Sequence, residues 1–306
     1  MFKESFKYYK SKKPPPSLND VVDFDDISKW LPVIKQHRLN SNIQIEPKFG
    51  LKTPDTWELY ELLSSPGLVF IKNPFTAIGQ RYWTVRCLRD YPFAPNRTNL
   101  REQSFELSKS GKTQLPLRWT TLGYQYDWDS KVYSEELKNV FPEDLAKLSR
   151  ILGEVLGFEN FCAQAAIVNY YYFNSTLSGH TDHSEDNLEA PLFSFSFGQS
   201  AIFLLGGKTL DEKPIPIFIR SGDIIAMTKQ ARLCYHGIPK ILEERNSIDR
   251  RWRHIDLNEE FYDEHNVLQL CIDTNCWLPY GKFLENSRIN VNVRQVLKES
   301  QLYLSN

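Results

Sequence analysis

From Phe161 onward the side chains of this chain follow a period of two: "CAQAAIVNYYYF", "PLFSFSFGQSAIFLLGG", "IPIFIRSGDIIAM" and "RINVNVRQV" are β-branched and aromatic runs cut by Gly, Pro and Asp. Alternation sends neighbouring side chains to opposite faces of a strand, so each run needs a second layer to cover its apolar face. The preceding third of the chain reads differently. "FPEDLAKLSRILGEVLGF" opens on Pro142, Glu143 and Asp144 and stops at Gly157, which predicts a helix, and "TAIGQRYWTVRCLRDY" predicts another. "TPDTWELYELL", with Thr53 as N-cap and Pro54 at the first helical position, predicts a third, followed by a short strand in "GLVFIKNPF". Helices first and strands later, with "FGQS" and "RSGD" as turns, predict an α+β chain. Its β part is expected to be a sandwich or jelly roll with helices on one face.

Pro14 to Pro16 cannot continue a helix, so they separate the basic start "MFKESFKYYKSKK" from an irregular segment running to about Gly50. Residues 1–53 are therefore expected to be an N-terminal extension, and 54–306 the domain proper. The basic start fits a solvated or docked helix better than an organelle address. No apolar run is long enough for a membrane helix and no secretory signal follows Met1, so a soluble protein is expected. At 306 residues and 41% hydrophobic content the chain can bury a full core, and its formal charge of −1 offers no whole-molecule field for a polyanion. Any nucleic-acid contact would have to be a local patch. Five cysteines without a CxxC pair argue against a disulfide framework or a zinc knuckle and fit a reducing compartment.

Against that background "GHTDH", at 179–183, places two of only six histidines three positions apart. His180 and Asp182 are two apart, so an extended segment points both to one face. Two imidazoles and one carboxylate on one face suit a mononuclear oxygen-activating iron, but HxD alone also occurs by chance. A third ligand is best sought at His236, which follows the "SGDIIAMTKQARLCYHG" hairpin beside a Gly; a hydrogen-bonded turn histidine is the bland alternative.

"SRINVNVRQV" puts Arg288, Asn290, Asn292 and Arg294 on one strand face and Ile289, Val291 and Val293 on the other. An exposed edge strand would tolerate this pattern. A jelly-roll interior holding a dicarboxylate would need it, because an Arg fork clamps a carboxylate through two hydrogen bonds. Asn169 and Tyr171 offer matching polar groups on one face of "IVNYYYF".

"HTD" with His236, the "NYY" strand and "RINVNVR" resemble the motifs of the AlkB family of iron(II)- and 2-oxoglutarate-dependent dioxygenases. The resemblance continues through "LNDVVDF", "IKNPF", "LRWTTLGYQYDWDSKVYS", "PLFSFSFGQSAIFLLGG" and "NVRQVL", and so spans nearly the whole chain. It implies a double-stranded β-helix core, Fe(II) on His180, Asp182 and His236, and 2-oxoglutarate held by Arg288, Asn169 and Tyr171. Asn290 matches the motif's Asn, and Arg294 its second Arg, near the metal and Asp182. Asn292 stands where the family commonly has Thr and is given no role. Such a site consumes dioxygen, turns 2-oxoglutarate into succinate and carbon dioxide, and hydroxylates a methyl that then leaves as formaldehyde. A paired base cannot reach it, so the substrate should be unpaired or flipped.

The segment with Arg118, Trp119, Tyr124, Tyr126 and Trp128 resembles the family's nucleotide-recognition lid, with Trp119 as the expected stacking residue and a core Trp as the alternative. "RNSIDRRWRH" gathers four Arg around Trp252 and is expected to grip phosphate or to be a solvated loop. The resemblance implies a nucleic-acid substrate, with transfer RNA (1-methyladenosine, 5-methylcytidine) favoured and N6-methyladenine DNA as a further activity, because loops present unpaired bases. The chain is expected to act as a monomer, in nucleus, cytoplasm or mitochondrion. Two competing readings are the same chemistry on a histone or other protein, and a non-catalytic RNA-binding jelly roll.

Overall fold

The computed structural model describes residues 1–37, 49–100, 105–113, 116–243, 251–259, 261, 263 and 265–305. In chain order the strands are β1 (Ile34–His37), β2 (Glu58–Leu62), β3 (Leu68–Lys72), β4 (Arg97–Thr98), β5 (Trp119–Gly123), β6 (Gln125–Asp127), β7 (Val132–Ser134) and β8 (Ala165–Tyr172). They continue with β9 (Leu177–His180), β10 (Leu192–Gly198), β11 (Ala201–Leu205), β12 (Ile215–Ile219), β13 (Ile224–Met227), β14 (His236–Ile241) and β15 (Ser287–Arg294). The helices are α1 (Phe2–Lys10), α2 (Ala77–Val85), α3 (Glu143–Val155), α4 (Leu268–Ile272) and α5 (Thr274–Leu284).

Two antiparallel sheets face each other, one of nine strands ordered β1-β2-β3-β13-β10-β15-β8-β5-β4 and one of four ordered β12-β11-β14-β9. The alternation seen in the sequence decides what lies on each side of the larger sheet. Phe193, Phe195 and Phe197 of β10 and Ile289, Val291 and Val293 of β15 point outward into a core shared with α2 and α3. The intervening Ser194, Arg288, Asn290 and Asn292 point inward, between the sheets. There a second core joins Leu192, Ile225 and Met227 of the large sheet to Phe203, Ile217 and Ile238 of the small one.

The turns "FGQS" and "RSGD" do not close hairpins within one sheet. Each carries the chain from one sheet to the other, β10 to β11 and β12 to β13, which is how a jelly roll winds. Gly198 makes the first crossing with φ +87°, and a Cβ there would sit 2.5 Å from the Ser287 carbonyl oxygen. Likewise the expected hairpin before His236 is a sheet switch: β13 pairs with β3 and β10, whereas β14 pairs with β11 and β9.

Two further expectations are corrected. "TPDTWELYELL" is a short 3-10 turn, Pro54–Thr56, leading into β2, and the Thr53 side chain makes no capping bond. Leu59 packs among the helices while Tyr60 and Leu62 face the inter-sheet core, so burial on both faces between β1 and β3 overrides the local helical signal. The segment read as irregular to about Gly50 contains β1, one of the two edge strands of the large sheet. The basic start is a docked helix: α1 seats Phe2 and Tyr9 against Ile202 and Leu204, on the outside of the small sheet. Helices therefore cover both outer faces. Among the described residues, no helix is long and apolar enough to cross a membrane.

Candidate metal centre and cleft

β9 and β14 pair so that His180 lies opposite His236, with ring centroids 4.3 Å apart. Asp182, two residues past His180, brings Oδ2 to 3.5 Å from His236 Nε2. One donor atom from each of the three lies within 4.8 Å of the others, which is a metal-sized cluster. The backbone fixes which nitrogen each ring presents. His180 Nδ1 is 2.9 Å from the Ser178 carbonyl and His236 Nδ1 is 3.2 Å from that of Cys234. A carbonyl only accepts, so each Nδ1 donates, which leaves Nε2 as the ring atom turned toward the cluster and able to ligate a metal. Burial, reinforced by the neighbouring His236, pushes His180 down to about 4 and keeps it neutral. Burial opposes ionisation of Asp182, but Arg294 and the two imidazoles outweigh it and hold the carboxyl well below its usual range.

Gly179 has its own reason. A Cβ there would lie 2.5 Å from the Phe2 ring, so helix α1 packs directly on the strand that carries His180. His183 is exposed and stays outside the cluster.

Behind the histidines lies a pocket lined by Tyr171, Ser194, Arg288, Asn290 and Asn292 together with His180 and His236. Arg288 and Tyr171 are paired across β15 and β8. Arg288, 1% exposed, donates to Ser196 Oγ at 2.7 Å and the Gln199 carbonyl at 3.2 Å, while its Nε and the Tyr171 hydroxyl have no hydrogen-bond partner. Burial lowers the guanidinium to about 10. A buried cation that forms no ion pair among the described residues, with two spare donors beside it, suits one end of a dicarboxylate. Asn290 is occupied otherwise: its Nδ2 donates to Ser194 Oγ at 2.8 Å and to the Phe195 carbonyl at 3.0 Å, and its Oδ1 accepts from Asn292. Asn169 lines the outer cleft with Asn292 and Arg294 rather than this pocket.

That outer cleft, about 580 Å3, opens over His180 and Asp182 and is walled by Tyr126, Trp128, Lys131 and Tyr133. The lid residues split within it. Tyr126 and Trp128 meet edge to face at 4.9 Å, and Trp128 is 44% exposed. Trp119 is half-buried on β5 opposite Asn169, with its ring 5.4 Å from Trp128, and stands behind the wall. Arg118 is exposed, and its backbone N–H donates to Asn99. Tyr124 does not belong to the cleft: it is 1% exposed, donates to Glu135 at 2.7 Å and accepts from Lys138. The chain turns just before Tyr124, at Gly123 with φ +70°, where β5 ends, and the Tyr124 ring joins a separate core with Tyr133 and Val296. In "RNSIDRRWRH", two described residues are taken up inside the fold, whereas Arg253 and His254 are exposed. Trp252 is buried, Arg251 pairs with Asp223 at 2.9 Å and Asp25 at 2.5 Å, and residues 244–250 lie outside the described residues.

Three residues with no assigned place in the sequence reading stand next to the cluster. Glu185, Arg232 and Tyr133 are buried and surround Asp182 and Arg294. Glu185 lies three residues past Asp182, and an acid at that spacing was the only local signal; Arg232 and Tyr133 are remote in sequence.

The family model for the 2OG-Fe(II) oxygenase superfamily matches residues 67–294. The chain is 36% identical over 330 residues to the mouse (Mus musculus) nucleic acid dioxygenase ALKBH1, an alignment that covers 98% of this chain and 85% of that protein. It is 43% identical over 128 residues to the tRNA demethylase abh1 of Schizosaccharomyces pombe, covering 41% of this chain and 42% of that one. The solved structure of OsALKBH1 superposes with a TM-score of 0.52 at 19% identity, over 78% of this chain and 99% of that one, and shares its fold. With the three-residue cluster and the buried Arg288 pocket in place, the chain belongs to the AlkB branch of the 2OG-Fe(II) oxygenase superfamily and is an Fe(II)- and 2-oxoglutarate-dependent dioxygenase.

Proposed function

We propose that this enzyme oxidises methyl groups on unpaired nucleobases, with transfer RNA as the favoured substrate. The observation that carries the reading is the cleft over His180 and Asp182, whose rim presents an exposed Trp128 braced edge-on by Tyr126, with Lys131 beside it. An aromatic face of this kind stacks on any base, and a cation at the rim meets phosphate. The names of the mouse and fission-yeast relatives support a nucleic-acid substrate.

His180, Asp182 and His236 would hold the iron, and Arg288 with Tyr171 would hold the far carboxylate of 2-oxoglutarate. When bound, iron and 2-oxoglutarate would supply the electrons that activate dioxygen for hydroxylation. The remaining work is the chain's own. The Ser178 and Cys234 carbonyls keep each Nε2 facing the cluster. Arg294 holds Asp182 ionised and oriented. The inter-sheet core of Phe203, Ile225, Met227 and Ile238 excludes water from the inner pocket.

The test compares succinate formation by iron-loaded protein on methylated transfer RNA, N6-methyladenine DNA and a methyl-lysine histone peptide, with mass spectrometry of each. Loss or oxidation of a transfer-RNA methyl coupled to succinate is expected. Coupling only to the DNA would move the substrate to single-stranded DNA, and coupling only to the peptide would overturn the nucleobase reading.

A further inference from the structure

Arg294 touches two carboxylates at once. Its Nη2 donates to Asp182 Oδ1 at 2.8 Å, and its Nε lies 3.1 Å from Glu185 Oε1 in an ion pair without hydrogen-bond geometry. Glu185 is held in turn. Tyr133 donates its hydroxyl to Oε1 at 2.8 Å, and Arg232 Nη2 donates to Oε2 at 2.9 Å. Arg232 also returns to the metal cluster, because its Nη1 donates to the backbone carbonyl of Asp182 at 2.6 Å while its Nε donates to the Ala190 carbonyl at 3.1 Å. Both arginines that grip Asp182, one by side chain and one by backbone, are thus tied to the same Glu185. Glu185, Arg232 and Arg294 are all at most 5% exposed.

A buried group of two cations and two anions is neutral, and such networks add little stability over apolar packing, so stability alone gives no reason for this one. Its geometry does. A guanidinium beside a lone carboxylate prefers the fork that engages both oxygens. Here the shared guanidinium takes only Oδ1 of Asp182, and Oδ2 stays turned toward His236.

We propose that Glu185 is a positioning residue for the metal site: by sharing Arg294 it stops that guanidinium from closing on both oxygens of Asp182, and so reserves one of them for the metal ion. The proposal rests on the reading of His180, Asp182 and His236 as metal ligands. Removing the Glu185 charge would leave two buried guanidiniums with one carboxylate between them. Arg294 would then compete with the metal for Asp182.

The test is Mn(II) titration of the full chain, followed by the electron paramagnetic resonance of free Mn(II) and normalised to folded protein from a thermal melt. In Glu185→Gln the Mn(II) dissociation constant is expected to rise roughly ten- to hundredfold, the range seen when a residue orienting a ligand is lost. Glu185→Asp should recover part of that loss. An unchanged dissociation constant in folded Glu185→Gln would overturn the proposal and make the network a packing feature. Should Glu185→Gln not fold, Tyr133→Phe decides, since it keeps every charge and removes one hydrogen bond to Glu185. A rise of about three- to tenfold is expected there, and no change would overturn the proposal. Wild-type protein without an Mn(II) site abolished by Asp182→Ala would instead refute the ligand assignment, and this proposal with it.

Discussion

The inner pocket and the outer cleft share His180, yet they are built on opposite terms. The inner pocket takes its polar groups from β8, β10 and β15, central strands of the nine-stranded sheet, where register fixes each side chain: Arg288 opposite Tyr171, and Asn290 opposite both Ser196 and Asn169. The outer cleft takes its aromatic wall from β6, β7 and the turn between them, a ribbon of two strands that pairs only with itself. Such a ribbon has little stability of its own and is held by side chains, chiefly Tyr133 on Glu185 and the Trp128 packing on Tyr126 and Trp119. The groups proposed to meet a small co-substrate in one geometry lie where the backbone leaves no choice. Those proposed to meet a larger substrate lie on the ribbon, where residues can change without disturbing the sheets.

The largest effect that would test this division is Asp182→Ala, expected to cost more than the roughly 100-fold associated with losing a residue that merely orients a ligand. Retained metal binding and turnover would mean that the two regions do not meet at this cluster. Next comes Arg288→Ala, which should weaken the apparent affinity for 2-oxoglutarate by about 2 to 4 kcal/mol while leaving nucleic-acid binding alone. If both fell together, the inner pocket would not be a separate compartment. For the ribbon, Trp128→Ala should lower coupled turnover on methylated RNA by about 1 to 3 kcal/mol and spare slow uncoupled succinate formation. Trp119→Ala distinguishes a second stacking face from a brace behind Trp128: a brace loses thermal stability as well as coupled turnover, whereas a stacking face loses turnover alone. The smallest effect belongs to Tyr124→Phe, which removes the hydrogen bonds with Glu135 and Lys138 and should cost about 1 kcal/mol of stability with no change in KM for any substrate.

Legibility in the sequence followed the same boundary. The run Ser287–Arg294 could be read because a strand's alternation is local, and the structure puts Ile289, Val291 and Val293 in the helix-side core and Arg288 in the pocket. The segment starting at Thr53 misled because a short apolar stretch suits either period, and only the flanking strands β1 and β3 make it β2. Tyr124 and Tyr126 lie two apart in sequence and would share a face in a straight strand. Both rings reach the small core around Tyr133 and Val296, but Tyr124 is buried in it whereas Tyr126, on β6, packs against its edge and also lines the cleft, a difference in burial that spacing does not encode. In "RNSIDRRWRH" charge density suggested an open surface, but Arg251 is satisfied by Asp25 and Asp223, residues far away in sequence.

By itself, then, the sequence determined the β periods, the polar face of the last strand and the spacing of His180 and Asp182, since each depends on residues a few positions apart. Tertiary structure alone decided that His236 comes opposite His180, that Arg288 lies beside Tyr171 with no ion pair among the described residues, and that Glu185, Arg232 and Tyr133 converge on Asp182. Those are juxtapositions across sheets and turns. Their energies depend on burial and on charges brought together by the fold, which no local pattern encodes.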